Sequence, residues 1–324
     1  MNQRVSNQNK PRIAVWNSPR AGGPLRWSKD LVWQINNSGK YSARLVTDML
    51  GLLKGHVIPQ ADLIHAAVPI TYRGWRKPYV LTVKGDYTIE KNFWKLLYPR
   101  AIRMADRVTV PSHYLIERIP ALAEAVVIPN AVDLSQFTPT TQPTGQLIKI
   151  LVVTNFWFPE KARGVEQLLK LIKSSLTDHE SADCQVTIVG DGTYLEKIKK
   201  QTKQYKFKTI FPGWSDPRKY FPATNIFLYY SFHDNMPNAV LEAMAAGLPV
   251  ITNNVGAIPE MIKHGQDGLI AQSDDEYVSF MVELMNQEQR RRQIGLAARR
   301  RIETDFAWDR VILKYLDLYQ TLLV

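Results

Sequence analysis

Residues 231–260, SFHDNMPNAVLEAMAAGLPVITNNVGAIPE, carry the clearest structural pattern of this chain. The stretch begins as a polar loop and continues as a run of small apolar residues that suits a helix ending at Gly247. The apolar pattern at 248–252 then suits a buried strand. A loop, a helix and a strand in this order predict one unit of a parallel α/β sheet.

Two acidic residues, Asp234 and Glu242, lie eight positions apart across the start of this predicted helix. Pro237 suits a first helical turn because its φ is fixed and it has no N–H to lose, while Asn238 or Asn235 can cap free amides. A helix N-terminus attracts phosphate or sugar oxygens through its free N–H groups and its dipole. Asp234 would lie in that loop, with Glu242 about 12 Å further along the helix axis. The alternative is an ordinary strand–helix unit whose carboxylates are merely solvated.

The pattern D-N-x-P-N-x-x-L-E-A-M-A-x-G-x-P-V-I, followed by V-G-x-I-P-E, resembles the Glu-x7-Glu region of retaining, family 4 glycosyltransferases with the GT-B fold. The first acid here is Asp234 instead of Glu, which shortens its reach by a methylene. The resemblance implies that Asp234 orients the donor sugar and Glu242 holds the ribose hydroxyls. It places further substrate contacts at the residues between them, Asn235, Met236, Pro237 and Asn238.

The resemblance also implies an α/β architecture of two Rossmann-like parallel-sheet lobes with a cleft between them. The family moves a hexosyl unit from a nucleotide diphosphate sugar to a hydroxyl acceptor. It is usually described as using front-face transfer, in which the leaving diphosphate helps to deprotonate the incoming hydroxyl. We expect a UDP-sugar as donor, with GDP-mannose as the alternative.

Alternating strand and helix patterns on both sides of a segment rich in Pro, Thr and Gly, 137–146, predict two domains. Strand patterns precede it at 12–16, 61–66, 79–83 and 107–110 and follow it at 149–153, 185–189 and 226–230. Helical patterns lie between them at 27–36, 92–104, 165–175 and 194–203. We predict an acceptor-side lobe at 1–145 and a nucleotide-sugar-binding lobe at 146–305. The end of the chain, 306–324, resembles the family's helix that crosses back to the first lobe.

Two cations, Lys161 and Arg163, follow the predicted strand that ends near Asn155. A loop at such a strand end suits a diphosphate, because Arg binds phosphate bidentately and Lys acts as a point charge. The segment looks like the family's P-E-K-G loop lengthened by two residues, so either cation would hold the phosphate role. Asn155 stands where the family often has Arg, so part of the usual charge is absent.

Two weaker matches lie in the second half of the chain. Gly190 belongs to a glycine turn after a strand; Leu195 stands where a dinucleotide fingerprint needs Gly or Ala, which excludes an NAD site. The family keeps this turn near the nucleotide, and a purely structural tight turn is the alternative. Trp214 follows Pro-Gly in a segment that resembles the one against the nucleobase, with a buried or edge tryptophan as the alternative.

In the first half, Gly22 and Gly23 resemble the family's Gly-Gly loop between donor and acceptor, where backbone amides approach phosphate or sugar closely. Lys84 and Asp86 stand where the family often has His-Gly-Asp, with Lys84 in place of the His that makes the usual contact to the donor sugar. His65, at the end of a predicted strand, is either a ligand or a satisfied structural histidine.

The formal charge of +11 is concentrated in the first half: residues 1–145 hold 19 Lys and Arg against 9 Asp and Glu, and 146–324 hold 22 against 21. This asymmetry indicates an anionic partner or simply a basic, soluble surface. Cations interleaved with aromatic residues at 72–79 and 91–107 suit an anionic membrane surface and a lipid-linked or saccharide acceptor. The alternative is that Phe93, Trp94 and Leu97 form the inward face of a helix.

The sequence does not contain the residue signatures of several functional classes. The single cysteine allows no intramolecular disulfide, and the absence of Asp-x-Asp, Gly-x-Ser-x-Gly and His-Glu-x-x-His leaves no metal or hydrolase signature. We therefore expect neither a metal nor a cofactor. The polar N-terminus and the lack of a long apolar run predict a cytoplasmic protein, at most peripheral on the membrane. A nucleotide-sugar epimerase of the same fold and a noncatalytic nucleic-acid binder are the alternatives, although no nucleic-acid-binding signature is present.

Overall fold

The computed structural model describes residues 10–18, 23–47, 60–71, 77–89, 93–139, 143, 145–177 and 183–324. The chain divides into two compact units, Met1–Asn130 with Trp308–Val324, and Ala131–Ala307. Within the described residues, each unit is built on one six-stranded sheet. The sequence predicted two Rossmann-like units, each with a parallel sheet, and this prediction is confirmed.

The first sheet has the strand order β2-β1-β3-β4-β5-β6, and all of its pairings are parallel. Its strands are β1 (Arg12–Trp16), β2 (Ser42–Val46), β3 (Leu63–Ala66), β4 (Tyr79–Thr82), β5 (Arg107–Val110) and β6 (Val126–Val127). β3 and β4 are buried along their whole length, as continuous apolar runs in a parallel sheet require.

The second sheet has the order β12-β11-β10-β7-β8-β9, again entirely parallel. Its strands are β7 (Ile148–Val153), β8 (Cys184–Val189), β9 (Lys208–Gly213), β10 (Ile226–Tyr229), β11 (Val250–Asn253) and β12 (Leu269–Ala271). From β7 the chain runs outward through β8 and β9, then returns to β10 and continues in the opposite direction. This is the doubly wound order of Rossmann folds, with its reversal between β7 and β10.

The α-helices are α1 (Gly23–Asn37), α2 (Trp94–Met104), α3 (His113–Arg118), α4 (Pro159–Ser174), α5 (Leu195–Thr202), α6 (Asn238–Ala245), α7 (Ile258–Met261), α8 (Asp274–Asn286), α9 (Glu288–Arg301) and α10 (Trp308–Leu323). Short 3-10 turns lie at Pro120–Leu122, Leu134–Gln136, Pro217–Lys219 and Phe221–Ala223, and Ile302–Phe306 is π-helical. Val165, Leu168, Leu169 and Ile172 of α4 are buried at helical spacing. They anchor α4 in the core of the second unit.

The helix predicted from residues 231–260 forms nearly as expected. α6 ends with Ala246 as its C-cap and Gly247 at φ 75°, and β11 follows, which confirms the predicted stop. The start differs, because Pro237 is the N-cap, with φ −69° and ψ 118°, and has no capping side-chain hydrogen bond. Asn238 is consequently the first helical residue and lies past the capping position.

The boundary between the units lies earlier than the predicted linker. Residues 131–145, assigned from the sequence to the first lobe, belong to the second unit. Hydrogen bonds explain the difference: the Val132 amide donates to the carbonyl of Phe306 at 2.8 Å, and Arg299 donates to the carbonyl of Phe137 at 2.8 Å. A segment rich in proline and threonine is predicted to be a loop, but its composition does not show which of the two units it is hydrogen-bonded to.

Candidate active site

The reversal of strand order in the second sheet gathers two of the predicted site residues. Lys161 follows β7 and Asp234 follows β10, and these two strands are hydrogen-bonded neighbours. In open α/β sheets, ligands bind outside the carboxyl ends of the strands at this reversal. The fold thus places Lys161 and Asp234, which are 73 positions apart in the chain, at its expected ligand site.

Three side chains close a triangle of hydrogen bonds at this point. The ammonium of Lys161 donates to Asp234 Oδ2 and, at 2.9 Å, to the hydroxyl of Tyr229. That hydroxyl donates in turn to the same Oδ2. The other carboxylate oxygen, Oδ1, accepts from the amide of Asn235 at 2.9 Å. Lys161 and Asp234 keep 19% and 22% of their side chains exposed, so solvent and ligands reach both charges.

The cations lie on a helix and not in the predicted loop. α4 begins at Pro159, because proline has no N–H to lose and Phe158 takes the extended N-cap position. Lys161 is therefore in the first turn, near the positive end of the helix dipole. Gly164 lets α4 approach the sheet, since a Cβ there would collide with the carbonyl oxygen of Tyr230.

Lys161 and Arg163 have different surroundings. Lys161 contacts Asp234, whereas the guanidinium of Arg163 lies over the ring of Phe232, 4.8 Å from its centroid. Arg163 is exposed, and 47% of Phe232 is exposed as well. The sequence left both residues open for the phosphate role, and the structure places only Lys161 in contact with the predicted catalytic carboxylate.

Glu242 lies in the second turn of α6 and is 8% exposed. Its charge acts on Arg218: the hydrogen bond to Asp216 raises the pKa of Arg218, and the charges of Asp216, Glu242 and Asp133 raise it further. A carboxylate this deeply buried is costly unless it has compensating partners.

The residues between the two acids are mostly buried. Asn235, Met236 and Pro237 are buried, and Asn238 is exposed. Gly256, at φ 58°, packs against this loop so closely that a Cβ there would collide with the carbonyl oxygen of Asp234. The amide of Ala257 donates to the carbonyl of Asn235 at 2.9 Å. The loop that carries Asp234 is therefore held by backbone contacts.

The other candidates of this unit also lie at carboxyl ends of strands. Asn155 is exposed after β7. Gly190 follows β8 at φ 152°, in close contact with the carbonyl of Thr154, and its amide donates to the carbonyl of Gly213 at 3.0 Å. Trp214 follows β9 and is 85% exposed, which rules out the buried alternative for this residue.

In the first unit the predicted contacts have intramolecular partners. Gly22 lies outside the described residues, and Gly23 begins α1. The ammonium of Lys84 donates to Asn130 Oδ1 at 2.7 Å and lies 4.1 Å from the centroid of the Trp27 ring. Burial lowers the pKa of Lys84 well below its usual value.

Asp86 and His65 are buried and hydrogen-bonded within the first unit. Asp86 is 3% exposed and accepts hydrogen bonds from Thr88 and Arg118. Burial raises the pKa of Asp86, but these bonds outweigh burial and leave it lowered. His65 is fully buried between Tyr319 and Thr82, at 2.6 Å from each hydroxyl. Burial and, secondarily, Lys84 lower the pKa of His65 to about 3, so it is the satisfied neutral histidine of the two alternatives.

The basic and aromatic segment of the first unit is partly described, since residues 72–76 and 90–92 lie outside the described ranges. On α2, Tyr98 and Ala101 are buried, and Trp94 packs against the core. Phe93 and Leu96 are 65% and 69% exposed. The alternative that placed Phe93 on an inward face is therefore wrong for that residue.

Sequence reasoning missed Tyr229 and Arg218. A tyrosine at the end of an apolar strand is normally interpreted as a core residue. Its polar hydroxyl, five positions before Asp234, is the one sequence feature that indicates a role in the site. Arg218 lay in a Pro-Arg-Lys turn that matched no motif. Among the described residues, no group of three or more His, Cys, Asp or Glu side chains is arranged to hold a metal ion. No helix there has the length and apolar character of a membrane span.

Two family models match this chain. "Glycosyl transferases group 1" matches residues 148–287, and "Glycosyltransferase Family 4" matches residues 15–136. Among curated relatives, the UDP-Gal:alpha-D-GlcNAc-diphosphoundecaprenol alpha-1,3-galactosyltransferase of Escherichia coli is 28% identical over 163 residues, 46% of this chain and 41% of that protein. The chain spans somewhat under half the length of the curated relatives it matches first.

Solved structures resemble the whole chain. Sucrose-phosphate synthase from Thermosynechococcus elongatus has a TM-score of 0.81 at 17% identity, covering 97% of this chain and 99% of that one. HepE from Anabaena, in complex with UDP-glucose, has a TM-score of 0.74 at 16% identity, covering 96% of this chain and 100% of that one. At these identities the likeness establishes the fold.

Proposed function

This chain belongs to glycosyltransferase family 4, and on that premise we propose that it moves a hexosyl unit from a nucleotide diphosphate sugar to a hydroxyl acceptor with retention of anomeric configuration. The observation that carries the proposal is the contact of Lys161 with Asp234 at the reversal of the second sheet. A cation and a carboxylate at that place suit the two ends of a donor, its diphosphate and its sugar.

In this proposal Asp234 orients the donor sugar, and Glu242 binds the ribose hydroxyls. The ammonium of Lys161 and the N-terminal amides of α4 stabilise the negative charge that grows on the leaving diphosphate. The leaving phosphate accepts the proton of the incoming hydroxyl on the same face of the sugar. These groups perform the charge stabilisation that a metal ion performs in other transferases, so the reaction proceeds without one.

UDP is the proposed nucleotide. HepE is solved with UDP-glucose, and the Escherichia coli relative is named for UDP-Gal. Its name also gives a diphosphoundecaprenol acceptor, which supports a lipid-linked acceptor in cell-envelope synthesis here. A cytoplasmic protein that meets such an acceptor works at the membrane surface. Exposed Phe93 and Leu96, together with the basic first half, suit that surface.

The test measures binding and turnover of UDP-glucose, UDP-galactose, UDP-N-acetylglucosamine and GDP-mannose. We expect Glu242→Gln to weaken UDP binding in calorimetry by ~10-fold or more, because it removes the charge that accepts from the ribose hydroxyls. We expect Asp234→Asn to lower the turnover rate, measured as release of the nucleotide diphosphate, by ~100-fold, while UDP still binds. Asp275→Asn, an exposed carboxylate on α8, is the matched control and leaves both quantities unchanged.

The stereochemistry of the product is read by NMR of the newly formed anomeric centre. An α-linked donor should give an α-linked product. An inverted product would overturn the retaining mechanism. A native protein that binds none of these nucleotides would overturn the donor assignment altogether.

A further inference from the structure

The hydroxyl of Tyr229 contacts Lys161 and Asp234 but has no role in the proposed reaction. Tyr229 ends β10 and is 4% exposed, so its ring is part of the core while its hydroxyl reaches the site. Its backbone carbonyl accepts a hydrogen bond from Tyr277 at 3.2 Å, and the same Tyr277 hydroxyl bonds to the carbonyl of Ile251 at 3.0 Å. The Tyr229 hydroxyl therefore projects from a rigid strand end.

The charges of its two partners set the hydrogen-bond directions between this hydroxyl and the ion pair. The hydroxyl accepts from Lys161 and donates to Asp234, and these are the two roles that a tyrosine hydroxyl fills together. Burial and the charge of Asp234 raise the pKa of Tyr229 well above its usual value. The hydroxyl thus keeps its proton, and with it the donor role, throughout the working pH range.

The geometry of the ammonium follows from this arrangement. A lysine ammonium has three N–H donors. Within the described residues, Lys161 directs two of them at Tyr229 and Asp234. Because the two acceptors are fixed to β10 and the loop after it, the third donor has one remaining direction. A lysine without the tyrosine would rotate about its flexible stem and lose rotamer entropy on binding phosphate.

We propose that Tyr229 is a positioning residue, which aims the Lys161 ammonium at the β-phosphate of the donor through a hydroxyl bridged to Asp234. The inference rests on the proposed function, since it takes a nucleoside diphosphate as the ligand of Lys161. Tyr229 itself does not contact the ligand. Its effect is confined to the affinity that the second phosphate adds, and it acts through Lys161.

The experiment measures how much the second phosphate contributes to binding. Calorimetry gives Kd for UMP and for UDP, and the ratio of Kd for UMP to Kd for UDP reports the β-phosphate contribution. If GDP stabilises the native protein more than UDP does, GMP and GDP replace UMP and UDP. We expect Lys161→Ala to lower the ratio by ~10-fold or more and Tyr229→Phe to lower it by ~5-fold, from the usual energies of charge-assisted hydrogen bonds. The Kd for UMP stays unchanged in both variants, which also shows that the site remains folded.

The neighbouring residue offers a matched control. Tyr230→Phe removes the same atom from the next position, where the hydroxyl bonds to Asp274 at 3.2 Å, and it should leave the ratio unchanged. In a Lys161→Ala background, Tyr229→Phe should change the ratio by less than about 2-fold, because the group through which it acts is gone.

Three outcomes separate the possibilities. A ratio that falls with Lys161→Ala but not with Tyr229→Phe overturns the positioning role and leaves the proposed function intact. An equal effect of Tyr229→Phe with and without Lys161 shows that the tyrosine acts by a different route and also overturns the inference. A native protein that gains no affinity from the second phosphate overturns both proposals.

Discussion

Two cations two positions apart in the sequence, Lys161 and Arg163, differ in what they contact. Lys161 lies against Asp234 and Tyr229, while Arg163 covers the exposed ring of Phe232. In a helix, residues two apart project in clearly different directions, so both cannot face the same carboxylate. This difference favours Lys161 for the phosphate role that the sequence left open.

We predict that Lys161→Ala lowers turnover by ~100-fold, as loss of a preorganised charge-stabilising group does, and that Arg163→Ala lowers it by less than about 10-fold. The measurement is release of nucleotide diphosphate at saturating donor. Thermal unfolding of each variant serves as the folding control. A larger loss with Arg163→Ala would transfer the phosphate role to that residue.

The same assay tests metal independence. With EDTA, the native protein should retain its activity, since Lys161 and the amides of α4 carry the charge stabilisation in this proposal. Complete loss with EDTA and recovery with manganese would refute it.

At the scale of elements, the site depends on how the loop between β10 and α6 is held. Gly256 lies against the carbonyl oxygens of Asp234 and Asn235, in a backbone conformation with φ 58° that side chains disfavour. The turn containing Gly256 holds this loop through the amide of Ala257, which donates to the carbonyl of Asn235, and the side chain of Asn253 at the end of β11 bonds to the backbone of Ser231. Asp234 is thus positioned by backbone contact as well as by its own hydrogen bonds.

We predict that Gly256→Ala destabilises the protein by ~3 kcal/mol or more and also lowers turnover, because a Cβ there displaces the backbone of Asp234. Gly265→Ala is the matched control: φ is 76°, but nothing lies within 4 Å of the added Cβ. Its cost should be ~1 kcal/mol, with normal turnover. Urea unfolding and donor turnover measure the two effects, and equal results for both variants would contradict the steric explanation.

At the scale of the whole molecule, charge is divided unequally. Residues 1–145 contain 19 basic and 9 acidic residues, whereas the numbers of basic and acidic residues in 146–324 are nearly equal. Leu96 on α2 and Phe93, its N-cap residue, are exposed, as are Lys95, Arg100 and Arg103 of the same helix. Apolar side chains among cations suit a surface of anionic headgroups, where each nearby cation adds ~1 kcal/mol.

We predict that the protein sediments with vesicles containing phosphatidylglycerol at low salt, and much less with pure phosphatidylcholine or at high salt. Leu96→Glu should weaken this binding, because it places a negative charge on the proposed contact face. Leu296→Glu is the control, since Leu296 is 60% exposed on α9 of the second unit. Equal binding to both lipids, or binding to neither, would favour a soluble acceptor.

Local sequence patterns were sufficient to predict the two parallel α/β arrays, the end of α6 at Gly247 and the candidates Asp234, Glu242 and Lys161. These features are local, since they follow from the period of apolar residues, from breakers and from a motif read within one short stretch. The contact of Lys161 with Asp234 depends on the tertiary fold, because the two residues are 73 positions apart and meet at neighbouring strand ends. The third member of that cluster, Tyr229, and the transfer of 131–145 to the second unit were decided in the same way. Each depends on hydrogen bonds between distant segments, which no local pattern encodes.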